Sequence, residues 1–290
     1  MTAIVKRLRK PLPTFPIRRR DPSYRLCVRA AWNIGTLQEF VSFALALNEV
    51  IPARIKDKHT PRLQIVFFES ALRDNRAFSG CGSLTDIEIS DSVTSIGDYA
   101  FYGCSKLISI EIPDSVASIG DYAFFGCSSL ENVSIGKGVE SIESEAFRYC
   151  SGLTSIVIPD SVWRMESCAF ANCSGLTSIT IPDKIEVIEP YLFAECDNLK
   201  NIIISDNVRK IDMGAFYKCS SLESVSIGKG VESIGYKAFH YCSSLTSVTF
   251  KNPDGWMAGG SAFSAAELSD PATAAEYLRD KYCDYIWWRS

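Results

Sequence analysis

The segment AFYGCSKLISIEIPDSVASIGDYAFFGC, residues 100–127, holds one full unit of a pattern that the chain writes eight times. Phenylalanine falls at Phe78, Phe101, Phe124, Phe147, Phe170, Phe193, Phe216 and Phe239, each 23 residues after the last. Cysteine follows three residues later in every unit, from Cys81 to Cys242, and leucine three after that, from Leu84 to Leu245. Eight copies in register, without insertion, point to a stacked array and not to a layered globular domain. One coil buries too few apolar side chains to offset the entropy of ordering its residues, so only stacking can make it stable.

Inside a unit, leucine leads into an I-x-I pair such as Ile87 with Ile89, or Ile110 with Ile112. Alternation turns both side chains inward and predicts one β-strand per coil. A turn follows at Pro113, Pro159 and Pro182, or at Gly136-Lys137-Gly138 and Gly228-Lys229-Gly230. The chain bends inward a second time at Val93 and Ile96, Val116 and Ile119, Val139 and Ile142. The A-F-x-x-C segment then closes the coil as a short helical turn, with phenylalanine filling the interior.

Outward from the array, residues 1–21 form a basic, proline-containing arm with Lys6, Arg7, Arg9, Lys10, Arg18, Arg19 and Arg20 around Pro11, Pro13 and Pro16. That composition suits an extended segment. Residues 22–62 are expected to cap the first coil: Thr36 and Glu39 make a capping box, and Leu37, Phe40, Val41, Ala44, Leu45 and Leu47 give an apolar helical stripe. Leu63, Val66 and Phe68 repeat the strand spacing in degenerate form, which starts the solenoid at 63 and carries it to 250. Residues 251–290 are expected to cap the other end. Gly259-Gly260-Ser261 reads as a flexible link, Asp270 and Pro271 start a helix, and Tyr282, Tyr285, Trp287 and Trp288 supply apolar mass to cover the last coil.

Taken whole, the 290 residues are 47% hydrophobic and 22% charged with a formal net charge of -4, so bulk charge favours neither nucleic acid nor membrane. No apolar run approaches the roughly 20 residues of a membrane helix. No evident secretory signal stands at the start, which favours the cytoplasm over the surface. Of eleven cysteines, eight sit at the repeat period, where stacked parallel side chains point the wrong way for a disulfide and pack as buried free thiols. Cys27, Cys168 and Cys283 have no C-x-x-C partner, so no zinc signature exists.

The 23-residue period, the L-x-x-I-x-I strand, the A-F-x-x-C closure and the proline after the strand together resemble the BspA-like, or Treponema pallidum-type, leucine-rich repeats. The resemblance covers roughly residues 63–290. It implies a right-handed solenoid with a parallel sheet on one face, ligand binding by a repeat surface, a bacterial and adhesin-like setting, and no catalytic residues to carry over.

Chemistry is sparse. The two histidines, His59 and His240, lie about seven coils apart, and no phosphate loop, dinucleotide fingerprint or paired carboxylates can be placed. The chain reads as a non-enzymatic scaffold without cofactor or metal, whose partner is a protein or a surface glycan. A structural or self-associating module is the first alternative, and a binder of nucleic acid or an anionic surface through the basic arm is the second. The outward strand positions are mostly serine, threonine and asparagine, which anchor interfaces poorly. Aromatic candidates stand elsewhere: Tyr99 with Tyr122, and Tyr102 with Phe125, occupy equivalent places on adjacent coils, and Trp163 and Arg164 form a second candidate. Asp86, Glu88 and Glu111 offer an acidic alternative on the strand face.

Overall fold

In the computed structural model, two short parallel strands per coil stack in separate columns around one apolar interior. Residues 75–290 are described, together with a two-residue strand at Val66–Phe67; the basic arm, the helix expected from Thr36 and the rest of 22–62 lie outside the described residues. The first column holds β1 (Val66–Phe67), β2 (Glu88–Ile89), β4 (Ser109–Ile112), β6 (Asn132–Ile135), β8 (Ser155–Ile156), β10 (Ser178–Ile179), β12 (Asn201–Ile203), β14 (Ser224–Ile227) and β16 (Ser247–Phe250). The second holds β3 (Ser95–Ile96), β5 (Ser118–Ile119), β7 (Ser141–Ile142), β9 (Arg164–Met165), β11 (Val187–Ile188), β13 (Lys210–Ile211) and β15 (Ser233–Ile234). The parallel sheet expected along the I-x-I positions is present. A second parallel sheet runs where only an inward bend was expected. At the first coil the register sets Phe67, not Phe68, beside Ile89, one residue away from the spacing read in the sequence.

Pairing within the first sheet varies with the residue that follows the strand. Gly136 and Gly228 come so close to the preceding coil that an added Cβ would collide with the backbone of Pro113 and of Ser205, and there β6 pairs over four residues with β4, and β14 over three with β12. A side chain is excluded by contact. Where proline enters instead, it donates no N–H to the ladder. Pairing then shrinks to one residue after Pro113, none after Pro159 and two after Pro182. The β12 strand, which meets Pro182 on the coil before it, also lies unpaired beside β10.

The closing segment is a pair of turns and not the helical turn expected. Tyr99 and Gly103 have φ of 57° and 69°, in the left-handed region where a helix stops. Tyr102 and Cys104 donate N–H three residues back, to Tyr99 and Phe101, at 3.1 Å each. Between them, Tyr99, Phe101 and Gly103 donate to Asp121, Ala123 and Phe125 of the next coil at 2.7–2.8 Å. The turns thus form a third ladder.

Inside, the eight phenylalanines make one stack, ring centroids 5.0–5.8 Å apart with planes within 18°. Each thiol from Cys104 to Cys242 donates to the phenylalanine carbonyl of the preceding coil at 3.1–3.3 Å, so cysteine satisfies a buried acceptor as well as filling space. The ten cysteines among the described residues are free, and Cys81 and Cys168 are only half-buried. Burial raises the thiols of Cys127 and Cys173 to about 12 and pushes those of Cys150, Cys196 and Cys219 well above their ordinary value. Little thiolate, the reactive form, is present near neutral pH. Iodoacetamide at pH 8 without denaturant should therefore leave Cys127 and Cys173 unmodified, with full labelling only in guanidinium. Mass spectrometry showing rapid modification of either in the folded protein would contradict this.

The last coil is closed by α1 (Ala265–Ser269), α2 (Pro271–Glu276), a π-helical turn (Tyr277–Lys281) and a small antiparallel unit. Asp270 caps α2 by accepting from the Thr273 N–H at 3.4 Å, and Pro271 stands first in the helix, as the sequence indicates. The glycine-rich link is in fact a hairpin turn between β17 (Trp256–Ala258) and β18 (Ser261–Ala262). Strand β19 (Trp287–Arg289) runs antiparallel to both β15 and β17. Of the terminal aromatics Trp287 is buried and Tyr282 partly so, while Tyr285 and Trp288 face outward.

Candidate binding surface

The turn ladder fixes what the flank of the solenoid presents, because like positions repeat at the coil spacing. Tyr99 and Tyr122 stack at 4.8 Å with planes 5° apart, and Tyr102 and Phe125 at 5.0 Å and 4°. Tilted contacts of 5.7 Å join Tyr99 to Tyr102 and Tyr122 to Phe125, so the four rings form one group. Tyr149 extends it edge-on, 5.2 Å from Phe125. Tyr102 is exposed and the other three of the original four are half-buried. The left-handed backbone at Tyr99 and Tyr122 recurs at Glu145, Cys168, Tyr191 and Lys237, so it belongs to the turn and not to this group.

Charge frames the rings. The Arg76 guanidinium lies 5.0 Å from the Tyr99 ring centre and that of Arg148 4.9 Å from Tyr149. Tyr122 donates its hydroxyl to Glu145 Oε1 at 2.9 Å, and this bond, more than burial, pushes its phenol up to about 12. Arg148 Nη1 donates to the other Glu145 oxygen at 2.9 Å, and Arg148 Nε to Asn172 at 3.3 Å. The group ends where Ala171 and Ala194 take the place of Tyr102 on the next coils. A second cluster, Tyr217, His240 and Tyr241, follows beside the C-terminal helices, where the His240 ring meets the Arg279 carbonyl at 3.2 Å.

Trp163 and Arg164 are set apart from the tyrosines. They lie at β9 on the second sheet, with Trp163 53% exposed and Arg164 in an ion pair with Glu166. Asp86, Glu88 and Glu111 lie on the first sheet, where they border a shallow depression together with Asp91, Ser109 and Asn132. Glu88 stands directly opposite Glu111. Farther along that face Val157 and Ile203 are 80% and 69% exposed. Tyr149, Arg76, Arg148 and Glu145 were not singled out by sequence reasoning. Tyr149 occupies the place of Gly103 and Gly126, and an aromatic residue in a glycine column was the signal available.

Among the described residues no group of histidine, cysteine, aspartate or glutamate is placed to hold a metal ion, and no helix is long and apolar enough to cross a membrane. A family model described as BspA type leucine rich repeat region matches residues 73–198 and 164–272, with six copies. Among solved structures, a T. pallidum leucine-rich repeat protein is similar with a TM-score of 0.50 and 24% identity, over 63% of this chain and 77% of that one. A leucine-rich repeat protein from Bacteroides ovatus is 31% identical with a TM-score of 0.45, over 62% of this chain and 58% of that one. A leucine rich cell surface protein from Faecalibacterium prausnitzii is 20% identical with a TM-score of 0.35, over 66% and 79% of the two chains. No curated protein matches the sequence.

Proposed function

Because the chain belongs to the BspA-type leucine-rich repeat family, we propose that it is a non-enzymatic recognition scaffold that holds a protein partner against the flank carrying Tyr99, Tyr102, Tyr122 and Phe125. The observation that carries this reading is contiguity: four rings, with Tyr149 beside them, make one apolar group framed by Arg76, Arg148 and Glu145. Interfaces draw most of their energy from a few aromatic and arginine anchors, and this flank supplies both. The inter-coil stacks spend ring faces on one another, Arg76 lies over Tyr99, and the Tyr122 hydroxyl is taken up by Glu145. A sugar ring stacks on an open face, so the arrangement favours a protein over a glycan. An adhesin-like role would be one use of the same surface.

The test compares Tyr102→Ser with Phe125→Ser in one chain against Glu88→Gln with Glu111→Gln in another, each used as bait for cell-surface protein fractions. Both should keep the far-ultraviolet circular dichroism of the parent, since none of the four side chains is fully buried. The first variant should lose about 2 kcal/mol or more of binding, roughly thirtyfold, as hot-spot truncations do, and the second should bind as the parent does. Binding that survives the first and fails in the second would move the site to the acidic sheet face.

A further inference from the structure

We infer that the solenoid is hinged across the coil of residues 153–175, with the turn ladder as the axis and both sheets able to open. On the first sheet, Glu131 and Asn132 donate N–H to the Ile108 carbonyl at 2.9 and 3.3 Å. One coil later Thr154 and Ser155 make no such bond to Glu131, and β8 does not pair with β6. On the second sheet, Trp163 and Glu166 donate to Glu140 and Ile142 at 3.0 and 2.9 Å. Glu186 and Glu189, their counterparts, donate to neither Trp163 nor Met165, and the pattern resumes only when Arg209 and Asp212 donate to Glu186 and Ile188 at 2.8 Å. The seam steps through this coil, whose β8 stays with β10 while its β9 stays with β7. The further unpaired joint between β10 and β12 keeps the bond from Lys200 N–H to the Thr177 carbonyl at 3.4 Å.

The turn ladder crosses the same coil without a gap. Glu145, Phe147 and Tyr149 donate into it at 2.8–3.1 Å, and Cys168, Phe170 and Asn172 donate out of it at 2.7–3.1 Å. At each joint of this coil one sheet is unpaired while the other sheet and the turn ladder stay bonded, so the turn ladder is the edge common to both tilts. The ring stack loosens along the same stretch: Phe124 and Phe147 stack at 5.0 Å and 7°, Phe147 and Phe170 at 5.4 Å and 5°, Phe170 and Phe193 at 5.8 Å and 15°, and Phe193 and Phe216 at 5.5 Å and 18°. Under the first sheet Ile135, Ile158 and Ile181 keep 9%, 6% and 5% exposure, against 0% for Ile204 and 1% for Ile227 in the same column. Pro159 supplies the cause on the first sheet, standing where Gly136 and Gly228 let coils close. Opening of the seam would change the spacing of the two sheet faces and leave that of the aromatic flank unaltered. The inference stands whether or not that flank binds a partner.

Two measurements on the full chain test it. In hydrogen exchange, the amides of Thr154, Glu186 and Glu189 should exchange about tenfold or more faster than those of Glu131, Trp163 and Glu166. Spin labels carried on unnatural amino acids avoid the half-buried native thiols Cys81 and Cys168. Placed at Glu111 and Ser226 on the first sheet, and in a second sample at Lys106 and Ser221 on the turn side, each pair spans five coils. The sheet pair should give a distance distribution about twice as wide as the turn pair, and Pro159→Gly should narrow it. Equal widths in the parent protein overturn the hinge even if the amides exchange fast. So do slow amides at Thr154, Glu186 and Glu189, or a width that Pro159→Gly leaves unchanged.

Discussion

Phe147→Ala should destabilise the protein by about 3–5 kcal/mol, the range for removing a large aromatic side chain from a core. Phe147 is fully buried and stacks on Phe124 at 5.0 Å and on Phe170 at 5.4 Å, so its loss leaves two rings facing a void. Collapse cannot heal the void, because the turn ladder holds its neighbours at the coil spacing: Phe147 N–H donates to Ala169 and Phe124 N–H to Ala146, at 2.8 and 2.7 Å. In a solenoid, stability is a sum of coils and the contacts between neighbours. A weakened middle should therefore also lower the cooperativity of unfolding. Urea titration followed by circular dichroism should show both an earlier midpoint and a shallower or two-step transition. A midpoint equal to that of the parent protein would exclude the phenylalanine stack as a main source of stability.

Trp287→Ala should cost a similar amount, about 3–5 kcal/mol, but from the end and not the middle. Trp287 is 1% exposed, lies 4.8 Å from the Phe263 ring and 6.3 Å from Phe250, and donates its indole N–H to the Tyr282 carbonyl at 3.1 Å. It also sits in β19, which covers the otherwise open edge of β15. Without the indole the last coil loses the centre of its lid, and the strand paired with β15 loses its buried anchor. Trp288→Ala is the control: the neighbouring indole is 46% exposed, and its removal should change stability by no more than about 0.5 kcal/mol. Equal losses from the two variants would show that the difference in burial does not govern stability here.

The interior of this fold is legible in the sequence because every buried column repeats one residue type at one spacing. Phenylalanine, cysteine and leucine each stand where 23-residue arithmetic puts them, and the two stacked pairs on the flank follow from the same arithmetic. What escapes is set by contacts between coils. The second sheet is built of two-residue strands such as Ser118–Ile119, too short for alternation to reveal. The closing turns need left-handed residues that here include tyrosine, glutamate and lysine, so no glycine marks them in every coil. Proline reads as a turn at Pro113, Pro159 and Pro182 alike, yet its effect on pairing depends on the residue it meets on the coil before. Tyr149 reaches Phe125 from a column where two earlier coils carry glycine, and spacing alone does not tell that its ring turns that way.

The thiol bonds bear on how such a chain can evolve in length. Each repeat cysteine from Cys104 to Cys242 reaches back to the carbonyl 26 residues earlier, on the adjacent coil, and each ring of the phenylalanine stack meets the rings one coil away. A duplicated 23-residue segment therefore arrives with every interior partner it needs, and a deleted one leaves two ends that match. Gene duplication can lengthen or shorten the array in whole units without compensating changes in the interior, whereas the terminal segment around Trp256, Phe263 and Trp287 must be inherited intact. Constraint on the sequence should accordingly be relaxed in coil number and strict in the final strand and helices.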